Sequence, residues 1–126
     1  MFSTFDSKEQ LYLGVEAKIL VEKNFLKRVA TTELAEYTSV TGMRKFIEGI
    51  YKKRGLMIGY IIEGSPGAVV EQINKRIEAD SFYSITDKLV KTQVVKEFEH
   101  TYCSNHISRI PYSLPHLFLD FSLHEL

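Results

Sequence analysis

The stretch "DSKEQLYLGVEAKILVE", Asp6 to Glu22, holds carboxylates and an amine at spacings that can do chemistry. From Leu11 to Val21 every odd position is apolar, while Glu16 and Lys18 fall on even ones. A period of two marks a strand, on which residues two apart project from one side about 7 Å from each other, given a rise of roughly 3.3 Å per residue. Glu16 and Lys18 therefore share a face, opposite the apolar one predicted to be buried. Asp6 lies where a preceding turn can bring it back alongside. Two carboxylates, Asp6 and Glu16, can hold a hard divalent cation through oxygen ligands, and Lys18 can offset charge developing on a phosphoryl group. Because a metal-bound water is a nucleophile near neutral pH, a site of this kind can open a phosphodiester without a Ser, Cys or His nucleophile.

Several elements are needed to position such a group. Met43, Phe46, Ile47, Ile50 and Tyr51 fall three and four apart, and "KKRG" follows with cations at the negative end of the dipole, so a helix is predicted over Thr41 to Arg54. An earlier, partly helical stretch spans Asn24 to Tyr37, with Thr32 as its N-cap. "LMIGYII" is apolar on both faces, the pattern of a central strand. Ser65 and Pro66 open the next helix, which runs to about Ala79. "FYSIT" reads as a short strand, and Val94 or Val95 with Phe98 and Tyr102 as a further helix. Pro111 and Pro115 break the chain before "HLFLDFSLHEL", whose alternation predicts a last strand within a C-terminal segment at about 111–126. The alternation of strand and helix predicts a single α/β domain over 1–126, a small layered fold with a mainly parallel central sheet flanked by helices.

Composition narrows the classes. Sixteen Lys and Arg balance sixteen Asp and Glu, so no global field draws the chain to phosphate backbones, and nucleic-acid contact must rest on a local patch. The patch on offer is Arg44, Lys45, Lys52, Lys53 and Arg54. A single cysteine, Cys103, excludes an internal disulfide and fits a reducing compartment. No apolar run approaches the roughly 18 residues that span a bilayer, and the N-terminal residues lack a signal layout, which predicts a cytoplasmic, intracellular protein that does not enter the membrane. His100, Cys103 and His106 stand three apart, but with His116 as the sole nearby fourth candidate they read as surface histidines and a half-buried cysteine rather than a zinc site.

The run "FDSKEQLYLGVEAK" resembles the D, then E-x-K core of the PD-(D/E)XK nuclease superfamily, in particular its XPF-type structure-specific endonuclease branch. "MRKFIEGIYKKRGLMIGYIIEG" is similar to that branch's Arg, helix, basic turn and apolar strand ending in Glu-Gly. The resemblance implies Asp6 and Glu16 as ligands of Mg²⁺ or Mn²⁺, Lys18 as the catalytic lysine, Arg44 as the basic residue at the helix start, and DNA as the partner. Phe5 and Glu48 depart from that pattern, standing where the branch carries Gly and Gln, so the implied module is either an active endonuclease or a degenerate one. Two other readings remain open. "TTELAEYTSVTGMRKFIEGIYKKRGLMIGYIIEGSPG" also looks like a winged-helix DNA-binding regulator, and the C-terminal strand suits a non-enzymatic assembly protein, a homo-oligomer or one subunit of a larger complex. "IIEGSPGAVVEQINKRIEADSFYSITDKL" resembles a stretch of BLUF flavin photosensors, but Tyr60 stands where their photochemistry needs Gln, so no flavin is expected.

Overall fold

The computed structural model describes residues 13–48, 54–92, 98–107 and 112–122. In chain order the elements are β1 (Leu13–Val21), α1 (Ala30–Thr38), the single turn α2 (Arg44–Ile47), β2 (Arg54–Glu63), α3 (Pro66–Ala79), a 3-10 turn (Ile85–Asp87), β3 (Val90–Thr92), β4 (Thr101–His106) and β5 (Tyr112–Asp120). The five strands form one sheet in the order β1-β2-β5-β4-β3. β1, β2 and β5 run parallel, and β4 runs antiparallel to both β5 and β3. The fold is α/β, but the sheet is mixed rather than mainly parallel. The difference arises in the second half of the chain. "FYSIT" is a turn leading into the 3-10 turn, and Thr101 to His106, which the spacing of Phe98 and Tyr102 partly assigned to a helix, is a strand. β3, β4 and β5 follow one another as antiparallel neighbours, while Val94 and Val95 of the predicted helix lie outside the described residues.

Local chemistry accounts for the well-defined ends. Gly64 ends β2 with φ of 95°, a left-handed backbone that glycine adopts without strain. Ser65 Oγ then accepts a hydrogen bond from the Ala68 amide at 3.3 Å, and Pro66 occupies the first helical position, where its missing N–H has no partner to lose. α1 starts earlier than the Thr32 cap implied. Its first amide, Ala30 N, donates to Asn24 Oδ1 at 2.9 Å, so Asn24, upstream in the loop, takes the capping role.

The helix expected over Thr41 to Arg54 is described as a turn followed by the single turn α2, with residues 49–53 outside the described set and Arg54 already in β2. Phe46 explains the compactness here. Its ring lies against Gly55, where a Cβ would sit 2.1 Å from a ring carbon, so α2 rests directly on the backbone of β2.

β5 passes through Pro115 rather than starting after it. Phe118 N donates to His100 O, which makes alternate residues of β5 the ones whose N–H groups face β4; Pro115 falls between them. On its other side the ladder to β2 begins one residue later, at Met57 and His116. The proline thus occupies a position in a central strand where neither neighbour needs its N–H.

All described helices lie on one face of the sheet. Leu34 and Tyr37 from α1, Phe46 from α2, and Val69, Val70, Ile73 and Ile77 from α3 pack with Leu20, Met57, Ile61, Leu114 and Phe118 in a single core. Among the described residues no helix is long and apolar enough to cross a membrane.

Candidate functional site

β1 is a strand, and Glu16 and Lys18 share one face of it. That face is not the open one. Leu20, two residues beyond Lys18, is fully buried in the helix-covered core, so Glu16 and Lys18 project toward the helical layer. The apolar positions expected to be buried, Val15 and Ala17, are exposed instead. Glu16 has its own reason to face inward: its carboxylate accepts a charge-assisted bond from Lys45 Nζ at 2.8 Å, and 14% of its side chain remains exposed.

The basic patch is answered in the same way. Arg44 donates to Glu48 Oε2 at 2.6 Å and lies 3.9 Å from the centre of the Phe82 ring. Arg44 and Lys45 therefore both have acidic partners within the fold. Asp6, Lys52 and Lys53 lie outside the described residues, and Arg54 is placed only as the first residue of β2. For a divalent cation, the described residues bring one of the two implied carboxylates, Glu16, with an ammonium already on it, and among them no group of three His, Cys, Asp or Glu side chains is disposed to hold a metal. No step through a metal is derived from that set.

A second constellation lies under the helices. His106 and His116, read from the sequence as surface residues, are 1% and 0% exposed. They belong to a chain of hydrogen bonds across four elements: Tyr37 Oη to His116 Nδ1 at 2.8 Å, His116 Nε2 to Ser104 Oγ at 2.8 Å, Ser104 Oγ to His106 Nε2 at 2.6 Å, and His106 Nδ1 to Asp87 Oδ1 at 2.6 Å. Asp87 Oδ2 accepts in turn from the Ser84 amide and hydroxyl. Burial holds His116 down to about 3 and lowers His106 as well, while it raises the Tyr37 phenol well above its ordinary value.

With both imidazoles neutral and Asp87 accepting, the hydrogens run in one direction. His106 must donate from Nδ1 to Asp87, so its Nε2 accepts from the Ser104 hydroxyl. The Ser104 oxygen then accepts from His116 Nε2–H, and His116 Nδ1 accepts from Tyr37. Asp87, His106 and Ser104 have the bonding order of a nucleophilic triad. Ser104, however, has no exposed surface and shares its oxygen with His116, so no acyl substrate reaches it. The chain works as a structural pin. One signal in the sequence pointed to it: Tyr102, Ser104 and His106 repeat at a period of two.

The third constellation is the other face of the sheet. The strand registers place Val15, Ala17 and Ile19 of β1 beside Leu56, Ile58 and Tyr60 of β2, and these beside Leu117 and Leu119 of β5. Cys103 of β4 and Val90 of β3 continue the same face. No described helix packs on it. Val15 is 45% exposed, Val90 60% and, just past β5, Phe121 60%, its ring stacked on Tyr60 with centroids 6.0 Å apart. The described side chains at these positions carry no charge, but the same registers put Arg54 at the start of β2 in line with Leu56, and place the polar residues Thr92, Thr101, Asn105 and Ser113 toward the β3–β4 end. Protein surfaces normally break up apolar area with charge. Comparison with protein-family models, with curated proteins and with solved structures finds no match to this chain, so its function is argued from these three constellations alone.

Proposed function

We propose that this chain is a protein-interaction module that assembles with a partner through the open face of its sheet. The observation that carries the reading is the apolar surface running from Val15 through Ile58 and Tyr60 to Leu119, uncharged among the described side chains. Antiparallel and mixed sheets that leave one face in water usually alternate apolar and polar residues. In β1, β2 and β5 the open side is apolar at Val15, Ile58, Tyr60, Leu117 and Leu119, as in a sheet buried on both sides, yet the described helices cover only the other.

Neighbouring residues of β2 test this. Met57 faces the helices and is fully buried, whereas Ile58 lies on the open face. Met57→Glu is expected to abolish cooperative unfolding, because it buries an unpaired charge, while Ile58→Glu leaves the circular-dichroism spectrum and a cooperative melt intact. If Ile58→Glu unfolds the chain as completely as Met57→Glu, the open face is internal core and the reading falls.

A second reading is favoured by one observation, the projection of Glu16 and Lys18 from a single strand face. It is a nuclease-like module with Mg²⁺ or Mn²⁺, active or degenerate. It expects metal-dependent cleavage of flapped DNA that is lost in Glu16→Gln and Lys18→Ala with the fold preserved. Absence of cleavage by the unaltered chain at millimolar Mg²⁺ and Mn²⁺ removes the active form of this reading.

A further inference from the structure

We infer that the occupant of the open face is a second copy of this chain, docked sheet against sheet about a two-fold axis. The inference rests on the interaction reading and names its partner. Charge argues first. A partner for a face whose described side chains are uncharged must itself present apolar area without charge, since any Lys, Arg, Asp or Glu pressed onto it loses water and gains no counter-ion. Among the described residues the open face is such a surface, and a two-fold axis sets it against itself with residue i meeting j and j meeting i. Equal numbers of basic and acidic residues, sixteen of each, remove long-range repulsion between copies.

Size argues next. Five strands spaced about 4.8 Å apart and up to about 30 Å long present on the order of 600 Å² in projection, and more as accessible surface once side chains are counted. That approaches the ~800 Å² per partner of a standard stable interface. Two twisted sheets pack face to face about 10 Å apart with their strands about 30° off parallel, and the gap is filled by residues of the size found here: Ile58, Tyr60, Leu117 and Leu119. The stacked Tyr60 and Phe121 rings lie together at one end of the face and supply the aromatic anchor that such interfaces concentrate.

Cys103 is the chain's single cysteine and lies on this face, half-buried in one copy, so its thiol reports coverage without any engineered probe. The experiment pairs molar mass by sedimentation velocity with the rate of Cys103 alkylation by iodoacetamide, across a dilution series of the full chain from about 100 µM to about 0.1 µM. A second-copy interface gives twice the monomer mass at the upper end and an alkylation rate that rises on dilution. Ile58→Glu and Leu119→Glu each weaken the dimer by at least about a thousandfold while keeping the circular-dichroism spectrum, because the axis places every change at the interface twice. A chain that stays monomeric throughout with Cys103 alkylated rapidly overturns the second copy and leaves the face open to an unlike partner. A monomer with Cys103 protected at every concentration shows the face covered by the chain's own residues, and both the inference and the interaction reading fall.

Discussion

The two faces of this sheet are built from alternate residues of the same strands, yet they solve opposite problems. On the covered side, Leu20, Met57, Ile61, Leu114 and Phe118 pack beneath the three described helices, and polar groups there are bonded within the fold: Glu16 to Lys45, and Tyr37 through His116, Ser104 and His106 to Asp87. On the open side no described side chain is charged, and the apolar ones are only partly screened. Burial within one chain tolerates polar atoms when their partners are fixed by the same fold. On the open side polar groups are few, and they gather toward β3 and β4, where Ser113 Oγ donates to Asn105 Oδ1 at 2.5 Å and Thr92 Oγ1 has no hydrogen-bond partner among the described residues.

Phe118 and Leu119 break or sharpen that contrast most sharply, being neighbours on opposite faces. Phe118→Ala is expected to lower the stability of the monomer by about 3–5 kcal/mol, as truncation of a sealed aromatic does, and Leu119→Ala by about 1 kcal/mol or less. Urea titrations at concentrations low enough to keep the chain monomeric measure both; equal losses erase the distinction between the faces. Ser104→Ala comes next. It strands the His116 Nε2–H and leaves His106 Nε2 without a donor, and at about 1–3 kcal/mol for each of the two unsatisfied buried groups a loss of roughly 2–6 kcal/mol follows.

Acid acts on the covered face through its two histidines. Burial lowers both histidines in the folded state, so the unfolded chain binds more protons below its ordinary histidine pKa near 6.5. Stability is full above that pH and declines as pH falls through 6.5. For His116 the decline continues to about 3, reaching about 2 kcal/mol at pH 5 from that residue alone. A urea midpoint that does not move between pH 7 and pH 5 contradicts the neutral chain. The smallest effect belongs to Lys45→Ala, which removes a partly exposed pair with Glu16 and is expected to change stability by about 1 kcal/mol or less.

Much of the frame was legible in the sequence. The alternation around Val15 to Val21, the doubly apolar run of β2, and the Ser65–Pro66 opening of α3 all appear where local chemistry put them. What the alternation of β1 could not say is which face would be covered. Val15, Ala17 and Ile19 are apolar and Glu16 and Lys18 are charged, so burial of the odd face was the simpler reading; the fold reverses it because Lys45 answers Glu16 and the odd residues join an apolar face already present on β2 and β5. The interior histidines escaped for a related reason. Single residue types carry no sign of a partner distant in sequence, and His116 finds Tyr37 and Ser104 only after the sheet has formed. The open face was partly visible, in the alternation of Leu117, Leu119 and Phe121, but its extent depends on strand neighbours that no local pattern specifies.

The buried chain of hydrogen bonds has a consequence for how the sheet finds its alignment. A slide of β4 along β5 by two residues would return every side chain to its original side, so apolar burial alone barely distinguishes the right pairing from that error. After such a slide Ser104 would no longer stand between the two imidazoles, and several interior donors would be stranded at once. A short strand rich in polar residues is thereby given one address in the sheet, a discrimination that greasier side chains at the same places would surrender.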